Sequence, residues 1–522
     1  MTKRRFSLSA DAPLIHPEHS RPVSRRDFLG YGMASGLGSV LGGSFLSLFA
    51  NPRQAHAALA NDLEGLKAAC PNINLAGAGK IPFICFDLAG GANIVGSNVL
   101  GGKSGGQLDF VSTAGYSRQG LPGDMVPSAG DQFINTDLGL AFHSDSGFLR
   151  GIQARAGTTT TANVNGALIP ARSDNDTGNN PHNPMYAINK AGANGELLTL
   201  IGSQATDSGG NSMAPSALIN PEVRPTKVSQ PSDVSGLIDT GKLVGLLKQE
   251  DAVAVMEAVY RLSKNKLDVV TPDATLKELV NCGYLKSADI VDRYGDPIAF
   301  DVDDDENIVG PTGIFSDEEW NGPDRREFQK TASVMKLVLQ GYAGAGTISM
   351  GGFDYHTGTR DVGEIRDFRA GQCMGACLEY AARLNQPLML YVFSDGSVFS
   401  NGNIDDSIEG RGKGVWTGDS SASSAGFFLL YDPDARPESK SADPTTGIQI
   451  GYFRQDGSVE TNASPAANNV NLLVNTVALN YMALHGEAEF NRFNDEFLNN
   501  SLGSLDQQRA LAVFEPLNRY RV

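Results

Sequence analysis

Several side chains that can bind a divalent metal follow the predicted strands of this sequence, at the points where those strands end. Asp354 and His356 come directly after one strand, and Asp395 follows the next strand along the chain. Asn93 follows the first strand behind a Gly-Gly turn, and Asp419 precedes a later strand. Ligands bind beyond the carboxyl ends of the strands in open parallel sheets, so we expect these residues to share one site. Their oxygen and nitrogen donors suit zinc, magnesium, manganese or calcium.

Three further polar residues are candidates for the chemistry of such a site. His143 and His182 lie in polar segments and are predicted to be additional metal ligands or proton donors. Ser97 lies near the first glycine turn and is the candidate nucleophile. Each candidate also has a structural interpretation, because a carboxylate after a strand can cap the next turn and a loop histidine can be a satisfied polar group. The order of residues in the sequence leaves both interpretations open.

Strands and helices alternate in the second half of the chain. An apolar strand at 81–88 is followed much later by strands at 347–353 and 388–393, with helices before and between them. The helix at 362–384 has the length of a crossover connection between parallel strands. We therefore predict a three-layer α/β/α sandwich with a mostly parallel central sheet, in a single domain that covers 58–522.

The segment from about 205 to 330 interrupts this alternation. Apolar residues recur at helical spacing between 244 and 262, which predicts a mostly helical insertion. The acidic run 301–306 resembles the start of an EF-hand loop, but Glu306 replaces the required glycine and no glutamate stands at the twelfth position. We interpret this run as a solvated acidic loop, with calcium binding as the lesser alternative.

The first 57 residues are predicted to be a twin-arginine export signal. They contain the motif SRRDFL at 24–29, a weakly apolar stretch to residue 50 and a small-residue cleavage site at 55–57. The expected partner during export is the twin-arginine translocase, which moves proteins that have already folded. A protein uses this route because it acquires a metal or cofactor before export, or because it folds too fast to thread. We therefore expect a periplasmic protein, or one that is secreted further.

The net charge and the apolar content limit the class of protein. With 42 basic and 59 acidic residues, the chain carries a formal charge of −17. This balance argues against nucleic-acid binding, which requires basic surfaces that displace counterions. Hydrophobic residues make up 41% of the chain, enough for a packed core. No apolar run after the signal reaches the roughly 20 residues needed to cross a bilayer, so we expect no stable transmembrane anchor after cleavage.

The five cysteines show no spacing typical of a disulfide framework. Buried, apolar roles are predicted for most of them, including Cys85 in a strand and Cys373 and Cys377 on one face of a helix. A bridge between Cys70 and Cys282 is the alternative for the remaining two.

Short motifs resemble, in order, those of a group of twin-arginine-exported proteins catalogued as domain of unknown function 1501. Gly351–His356 is similar to its GGWDTH motif, and Leu88–Asn93 to its L-x-G-G-x-D turn. Asn180–Gly192 resembles its N-H-x-x-A-Q helix, with His182 at the histidine. Ser394–Gly396 occupies the place of S-E-F-G-R, and Asp419 stands where D-H-G begins. The resemblance spans most of 81–430 and implies the fold of sulfatases and alkaline phosphatases.

The resemblance also implies a function, with three departures from the family pattern. In such folds the matching positions bind metals and the anionic group of an ester. Here Asn93 replaces an acidic residue, the expected arginine near Ser397 is missing, and Ser420 replaces a histidine. The first hypothesis is an exported metal-dependent hydrolase of small phosphate or sulfate esters. The alternative is a non-catalytic periplasmic or secreted binding or assembly protein on the same scaffold.

Overall fold

A computed structural model describes residues 80–173, 180–235, 237, 261, 301–441 and 448–520 of the 522-residue chain. The predicted export signal lies outside the described residues, as do Cys70, Cys282 and nearly all of the segment 236–300, the main part of the predicted helical insertion. The predicted central sheet and every candidate site residue lie within the described ranges.

Strands and helices are numbered in chain order. The described strands are β1 (Phe83–Leu88), β2 (Ile134–Asn135), β3 (Phe142–His143), β4 (Val164–Pro170), β5 (Leu198–Gly202), β6 (Thr226–Lys227), β7 (Ala343–Met350), β8 (Leu388–Ser394), β9 (Val398–Asp405), β10 (Lys413–Asp419) and β11 (Ala425–Tyr431). The described α-helices are α1 (Thr113–Arg118), α2 (Gly147–Gln153), α3 (Thr158–Ala162), α4 (Met185–Lys190), α5 (Pro231–Ser235), α6 (Asp317–Trp320), α7 (Arg325–Leu339), α8 (Asp361–Arg383), α9 (Val470–Ala483), α10 (Ala488–Glu496) and α11 (Leu505–Leu511).

Seven strands form one central sheet in the order β4-β11-β8-β1-β7-β5-β6. β1 lies at its centre and pairs in parallel with β7 on one side and β8 on the other. β5 extends the parallel arrangement from β7 to β6. β11 runs antiparallel to both β8 and β4. The predicted α/β sandwich with a mostly parallel sheet is therefore confirmed, with one strand reversed.

Helices pack on both faces of this sheet and enclose two hydrophobic cores. The first core contains side chains of α2, α7 and α8, and the second contains side chains of α4, α9 and α10. The residues of β1 alternate between them: Ile84 and Phe86 belong to the first core, and Phe83 and Cys85 to the second. This alternation follows from the two-residue period of a strand, and it makes the molecule a three-layer sandwich.

Local sequence explains why the central elements form. β1 is a nearly continuous apolar run in which all six residues are buried, as expected for a parallel strand covered on both faces. α7 buries Phe328, Met335 and Leu339, which recur at helical spacing. α9 begins after Asn469, whose side chain accepts hydrogen bonds from backbone N–H groups of the first helical turn and so caps the helix.

The sequence patterns predict some elements closely and miss others. The predicted strand at 388–393 and helix at 362–384 lie within one residue of β8 and α8. β7 ends earlier than predicted, so the segment from 351 to 360 is a loop. The β9–β10 hairpin was not predicted, because β9 reads VFSNGNID and its serine, asparagine and glycine residues disfavour strands.

The acidic run 301–306 is partly bound to the core, which corrects the expectation of a solvated loop. Asp305 Oδ2 accepts hydrogen bonds from Lys336 Nζ at 2.6 Å and from the Tyr380 hydroxyl at 2.8 Å. Asp303 Oδ1 accepts a hydrogen bond from the Trp320 indole N–H at 2.7 Å. These contacts explain two of the carboxylates as anchors on α6, α7 and α8.

The buried thiols agree with the sequence-based expectation. Cys85, Cys373 and Cys377 are free and fully buried, which confirms their predicted apolar role. The predicted alternative bridge between Cys70 and Cys282 lies outside the described residues. No helix in the described part of the chain has the length and apolar character needed to cross a membrane.

Candidate metal centre

Two of the predicted metal ligands lie on the loop between β7 and α8. This loop carries Asp354 and His356 and is held against the turn after β1, where the Phe353 N–H donates to the Ala89 carbonyl at 3.0 Å. The intervening Phe353 and Tyr355 are buried at 1% and 2% exposure. Their burial fixes the loop and leaves Asp354 and His356 accessible to solvent.

The β9–β10 hairpin brings a third residue to this loop. Asp419 is the last residue of β10 and pairs with Val398 at the start of β9. The Gly358 N–H donates to the Trp416 carbonyl at 2.8 Å, and the Trp416 N–H donates to the Thr359 carbonyl at 3.1 Å. The hairpin and the loop are therefore joined by an antiparallel bridge that places Asp419 beside Asp354 and His356.

Asp354, His356 and Asp419 form a cluster that we call the Asp–His–Asp triad. One ligand atom from each residue lies within 4.8 Å of the other two. His356 Nε2 is 2.7 Å from Asp354 Oδ1 and 3.6 Å from Asp419 Oδ1. Ligands arranged tetrahedrally around one zinc ion, each about 2.0–2.1 Å from it, lie about 3.4 Å apart. Shifts of about 1.5 Å or less would therefore let all three side chains bind one ion.

The three triad side chains remain accessible. Asp354 is 64% exposed, Asp419 36% and His356 30%. Within the ranges that the structure describes, no other group of three His, Cys, Asp or Glu side chains has ligand atoms this close together. The triad is thus the part of the predicted site that the fold brings together.

Asp395, which follows β8, is not a member of the triad. Its Oδ1 accepts a hydrogen bond from the Gly90 N–H at 2.7 Å, and its Oδ2 accepts one from Asn211 Nδ2 at 3.4 Å. The residue is 2% exposed, and burial raises the pKa of its carboxyl group. Gly90 packs against Asp354, so that a Cβ at position 90 would lie 2.7 Å from Asp354 Cβ. Asp395 therefore holds the turn that supports Asp354.

Asn93 and Ser97 are used inside the turn that follows β1. Both are 1% exposed, and Ser97 Oγ donates to Asn93 Oδ1 at 2.6 Å. Asn93 Nδ2 donates to the Val95 carbonyl at 2.8 Å, and the Asn93 backbone N–H donates to the Tyr355 hydroxyl at 2.8 Å. The two side chains support the triad loop through Tyr355, and neither is presented to solvent as a ligand or nucleophile.

His143 is buried, and both of its ring nitrogens have partners. The Asp145 N–H donates to Nδ1 at 3.1 Å, so the proton of the neutral ring lies on Nε2, which donates to the Met125 carbonyl at 2.9 Å. Burial, together with the charge of Lys413, lowers the pKa of the imidazole to about 4. His143 is therefore a neutral structural residue at neutral pH, with no nitrogen left for a metal.

His182 lies in the second core and is also separate from the triad. Its ring stacks on Phe393 with 6.3 Å between centroids, and the residue is 2% exposed. Burial lowers the pKa of this imidazole to about 4. Its Nε2 has no hydrogen-bond partner among the described residues. Among the described residues, His182 belongs to no group of three side chains that could hold a metal ion, so its predicted role as a ligand is not supported.

A buried ionic cluster joins α8 to the β9–β10 hairpin. Lys413 Nζ lies 2.9 Å from Glu364 Oε1 and 3.1 Å from Asp145 Oδ2. Arg360 Nη2 lies 2.6 Å from Glu364 Oε1, and its guanidinium stacks over the Trp416 ring at 4.6 Å. Burial alone would raise the pKa of Glu364, but the charges of Arg360 and Lys413 hold it below its ordinary value. The cluster fixes the hairpin, and with it one residue of the triad, against the start of α8.

Arg366 is a functional candidate that the sequence patterns do not single out. It lies in the second turn of α8, and its guanidinium packs on Gly352, where a Cβ would lie 2.6 Å from Arg366 Cζ. Gly352 has a φ of 89°, which glycine adopts readily. The Arg366 side chain makes no hydrogen bond or ion pair with any other residue that the structure describes. The Arg366 guanidinium contacts the backbone two residues before Asp354. The one sequence feature that could have identified Arg366 is its position in the helix after the GGFDYH motif.

Two cavities lie at opposite ends of the sheet. The larger, about 450 Å³, is lined by Pro82, Ala343 and Pro387 at the amino ends of β1, β7 and β8. The smaller, about 260 Å³, is lined in part by Asp419. Because the triad lies beyond the carboxyl ends of the strands, the smaller cavity is the one that adjoins it.

No protein-family model matches this sequence, and no curated protein matches it. The function is therefore argued from the geometry of the site.

Proposed function

We propose that this protein is a metal-dependent hydrolase of phosphate or sulfate esters, with the metal bound by the Asp–His–Asp triad. The observation that carries the proposal is the convergence of Asp354, His356 and Asp419 within 4.8 Å of one another. The three come from two separate segments, and they lie at the carboxyl edge of a parallel sheet, where ligands of such folds bind. Their exposure supports access for both metal and substrate.

The donor set favours zinc or manganese among the predicted ions. The triad offers one imidazole nitrogen and two carboxylate oxygens, all donors that zinc accepts, and three protein ligands leave a position open for water or substrate, as in catalytic zinc sites. Manganese also accepts carboxylate and imidazole donors. Calcium binds six to eight oxygen ligands, which the triad does not supply. Magnesium keeps several waters and prefers oxygen donors, so it fits the histidine less well.

The triad and Arg366 would have separate roles in binding an anionic ester. When bound, the metal ion would supply Lewis-acid polarisation of the ester and lower the pKa of a nearby water. Arg366 supplies a guanidinium with paired N–H donors, which match the oxygens of phosphate or sulfate. In the net reaction a water oxygen forms a bond to phosphorus or sulfur, the bond to the ester oxygen breaks, and the alcohol leaves with a proton from that water.

The motif resemblance and the export signal are further support for the proposal. GGFDYH supplies both ligands of the loop, and the D-H-G-like position supplies Asp419. We also propose that residues 1–57 direct export by the twin-arginine translocase to the periplasm or beyond. A protein exported in the folded state would acquire its metal before it crosses the membrane.

Metal analysis of the folded protein, purified without chelators, tests the proposal. We expect one zinc or manganese ion per chain in the wild-type protein and a loss of at least about tenfold in metal affinity in Asp354→Ala, because one of three protein ligands is removed. Asp304→Ala is the matched control, since Asp304 is an exposed aspartate outside the triad. Its metal content should equal that of the wild type.

The outcomes separate the two classes of function. Metal that is lost in Asp354→Ala, together with hydrolysis of a phosphate or sulfate ester that is lost in the same variant, supports the hydrolase. A wild-type protein that binds no metal after incubation with either ion would overturn the proposal. That result would favour the non-catalytic binding or assembly protein.

A further inference from the structure

The cavity beside Asp419 has walls from three separate segments. The end of α1 contributes Arg118 and Gln119, the chain after β10 contributes 419–423, and a turn contributes 456–458. Phe399 of β9 adds an aromatic ring. The volume of the cavity is about 260 Å³. Pockets that bind drug-sized ligands begin near 300 Å³, so this cavity is slightly smaller. The cavity therefore has room for one small group next to the triad.

Hydrogen bonds hold these walls in place. The Val459 N–H donates to the Ala422 carbonyl at 2.9 Å, which joins the turn to the segment after β10. Gln119 Nε2 donates to the Gly457 carbonyl at 2.9 Å, which joins the turn to α1. The Ser420 N–H donates to the Ser397 carbonyl at 2.8 Å. The cavity is thus preformed, and a ligand need not order it.

Most of the residues that line the cavity have polar side chains. Ser421 is half-buried, and its hydroxyl makes no hydrogen bond within the described ranges. Gln119 is 1% exposed, and its Oε1 also lacks a partner in the described part of the protein. Asp456 accepts two hydrogen bonds from Ser458 and lies 3.8 Å from the Arg118 guanidinium at the rim. The walls thus offer both donors and acceptors.

This combination fits a hydroxyl-rich group better than an apolar one. An alcohol hydroxyl both donates and accepts, so it can pair with serine, amide and carboxylate groups at the same time. The Phe399 ring lines the cavity, and an aromatic face can contact the C–H groups of a sugar ring because the face is electronegative and these hydrogens are weakly positive. An alkyl or aryl group would instead leave the polar walls without partners, at a cost in binding.

We infer that this cavity binds the alcohol part of the substrate, a polyol or a single sugar ring, while the phosphate or sulfate lies at the triad. The inference rests on the proposed function for the position of the anionic group. The shared residue Asp419 lies both in the triad and in the cavity wall, so the two parts of one small ester can occupy both at once.

Binding of the free alcohol tests this inference without any reaction. Saturation-transfer NMR is measured with glucose and with cyclohexylmethanol, which keeps a ring and one hydroxyl but lacks the others. We expect transfer to glucose in the wild type and in metal-free Asp354→Ala, and loss of at least about tenfold in affinity in Ser421→Leu, which fills the cavity and removes a hydroxyl. Ser128→Leu introduces the same side chain at an exposed serine and should bind glucose as the wild type does.

Turnover gives the second readout. We expect kcat/KM to be at least about tenfold higher for glucose 6-phosphate, or its sulfate, than for the cyclohexylmethyl ester. Ser421→Leu should remove this preference by lowering kcat/KM for glucose 6-phosphate or its sulfate. Absence of transfer to glucose in the wild type, or equal transfer in Ser421→Leu, would overturn the inference. Glucose binding in a protein that binds no metal would overturn the hydrolase alone, and the polyol site would stand.

Discussion

The charges of a few residues determine what the triad can attract. Under the proposed function, Asp354 and Asp419 would repel an anionic ester until a divalent ion compensates their charges, whereas Arg366 would attract it with or without the ion. Because Arg366 has no acidic partner among the described residues, its charge is available to a ligand. The chain as a whole carries a charge of −17, so a local cation is needed to bring an anion to this edge of the sheet.

Replacement of Arg366 should weaken substrate binding without removing the metal. In Arg366→Ala we expect KM for a phosphate or sulfate ester to rise by about 10- to 100-fold, the usual effect of losing a charge-assisted hydrogen bond. Metal content, measured on the same preparation, should stay unchanged. Arg326→Ala on α7 is the control, since this arginine is exposed and makes no ion pair with the described residues. A variant with unchanged KM would show that Arg366 does not contact substrate.

His143 gives the protein a predicted loss of stability in mild acid. Burial lowers its pKa to about 4 in the folded state, whereas an unfolded histidine has a pKa of about 6.5. Between these values the unfolded chain binds a proton that the folded protein does not, so the free energy of unfolding falls as the pH drops from about 6.5 to about 4. At about pH 4.5 the loss due to this residue is of the order of 2 kcal/mol.

Urea unfolding at several pH values checks this prediction. His143→Gln removes the titrating group, so the difference in unfolding free energy between about pH 7.5 and pH 4.5 should become smaller by that amount. The variant loses hydrogen bonds at all pH values, which lowers its stability without adding a slope. Part of the slope should remain, because burial also lowers the pKa values of His182 and His485. An unchanged slope would show that His143 titrates normally.

The turn after β1 and the loop after β7 act as one support for the triad. Gly90 has a φ of 121°, and a Cβ there would also overlap the Asp354 backbone. Gly341 has a φ of 81° but has no heavy atom within 4 Å of such a Cβ. A comparison of alanine variants at Gly90 and Gly341 therefore separates the free-energy cost of backbone strain from the effect of moving Asp354.

Gly90→Ala should lower metal affinity, whereas Gly341→Ala should not. Both variants should lose at least about 1 kcal/mol of stability in urea unfolding, because alanine disfavours a positive φ. Only Gly90→Ala moves Asp354, so metal titration should show an affinity loss of about tenfold or more in that variant alone. Equal metal affinities in the two variants would show that the contact between Gly90 and Asp354 does not position the ligand.

The ionic cluster plays a similar role for the β9–β10 hairpin. The hairpin forms a two-stranded sheet of its own, apart from the described strands of the central sheet. Lys413 is fully buried and pairs with both Glu364 and Asp145. A buried charge without its partner is costly, so the hairpin has one favourable position in which all these charges are paired. When the hairpin is in that position, Asp419 lies next to Asp354 and His356.

At the scale of the whole molecule, the sequence predicts the layers better than the details. The apolar runs of β1 and β8 and the long helix α8 give strong periodic signals, and these elements lie close to their predicted positions. The reversal of β11 was not predicted, because strand direction depends on connections through loops whose path has no periodic signal. β4 was also missed, since it lies in a segment rich in glycine and polar residues.

The candidate site was likewise predicted only in part, because some of its residues are positioned by segments that have no periodic signal. Asp354 and His356 follow a strand and share a short loop, so their proximity could be expected from the sequence. Asp419 reaches them through a hairpin that its composition does not indicate. His143, His182 and Ser97 were plausible by residue type, but their burial and hydrogen bonds depend on distant packing that the sequence does not show. Arg366 was not predicted, because the family resemblance places an arginine near Ser397, after β8, and not on α8.

The position of β1 at the centre of the sheet also determines when this protein can finish folding during its synthesis. Leu88 and Ser394, which meet where β1 and β8 end, are 306 residues apart in the chain. At about 5–20 residues per second, a ribosome needs roughly 15 to 60 s to make the intervening segment. For most of that time β1, an apolar strand, has neither of its final neighbours, because β7 ends at Met350 and is made shortly before β8. The nascent chain must therefore keep this strand from aggregating until β8 has been synthesised.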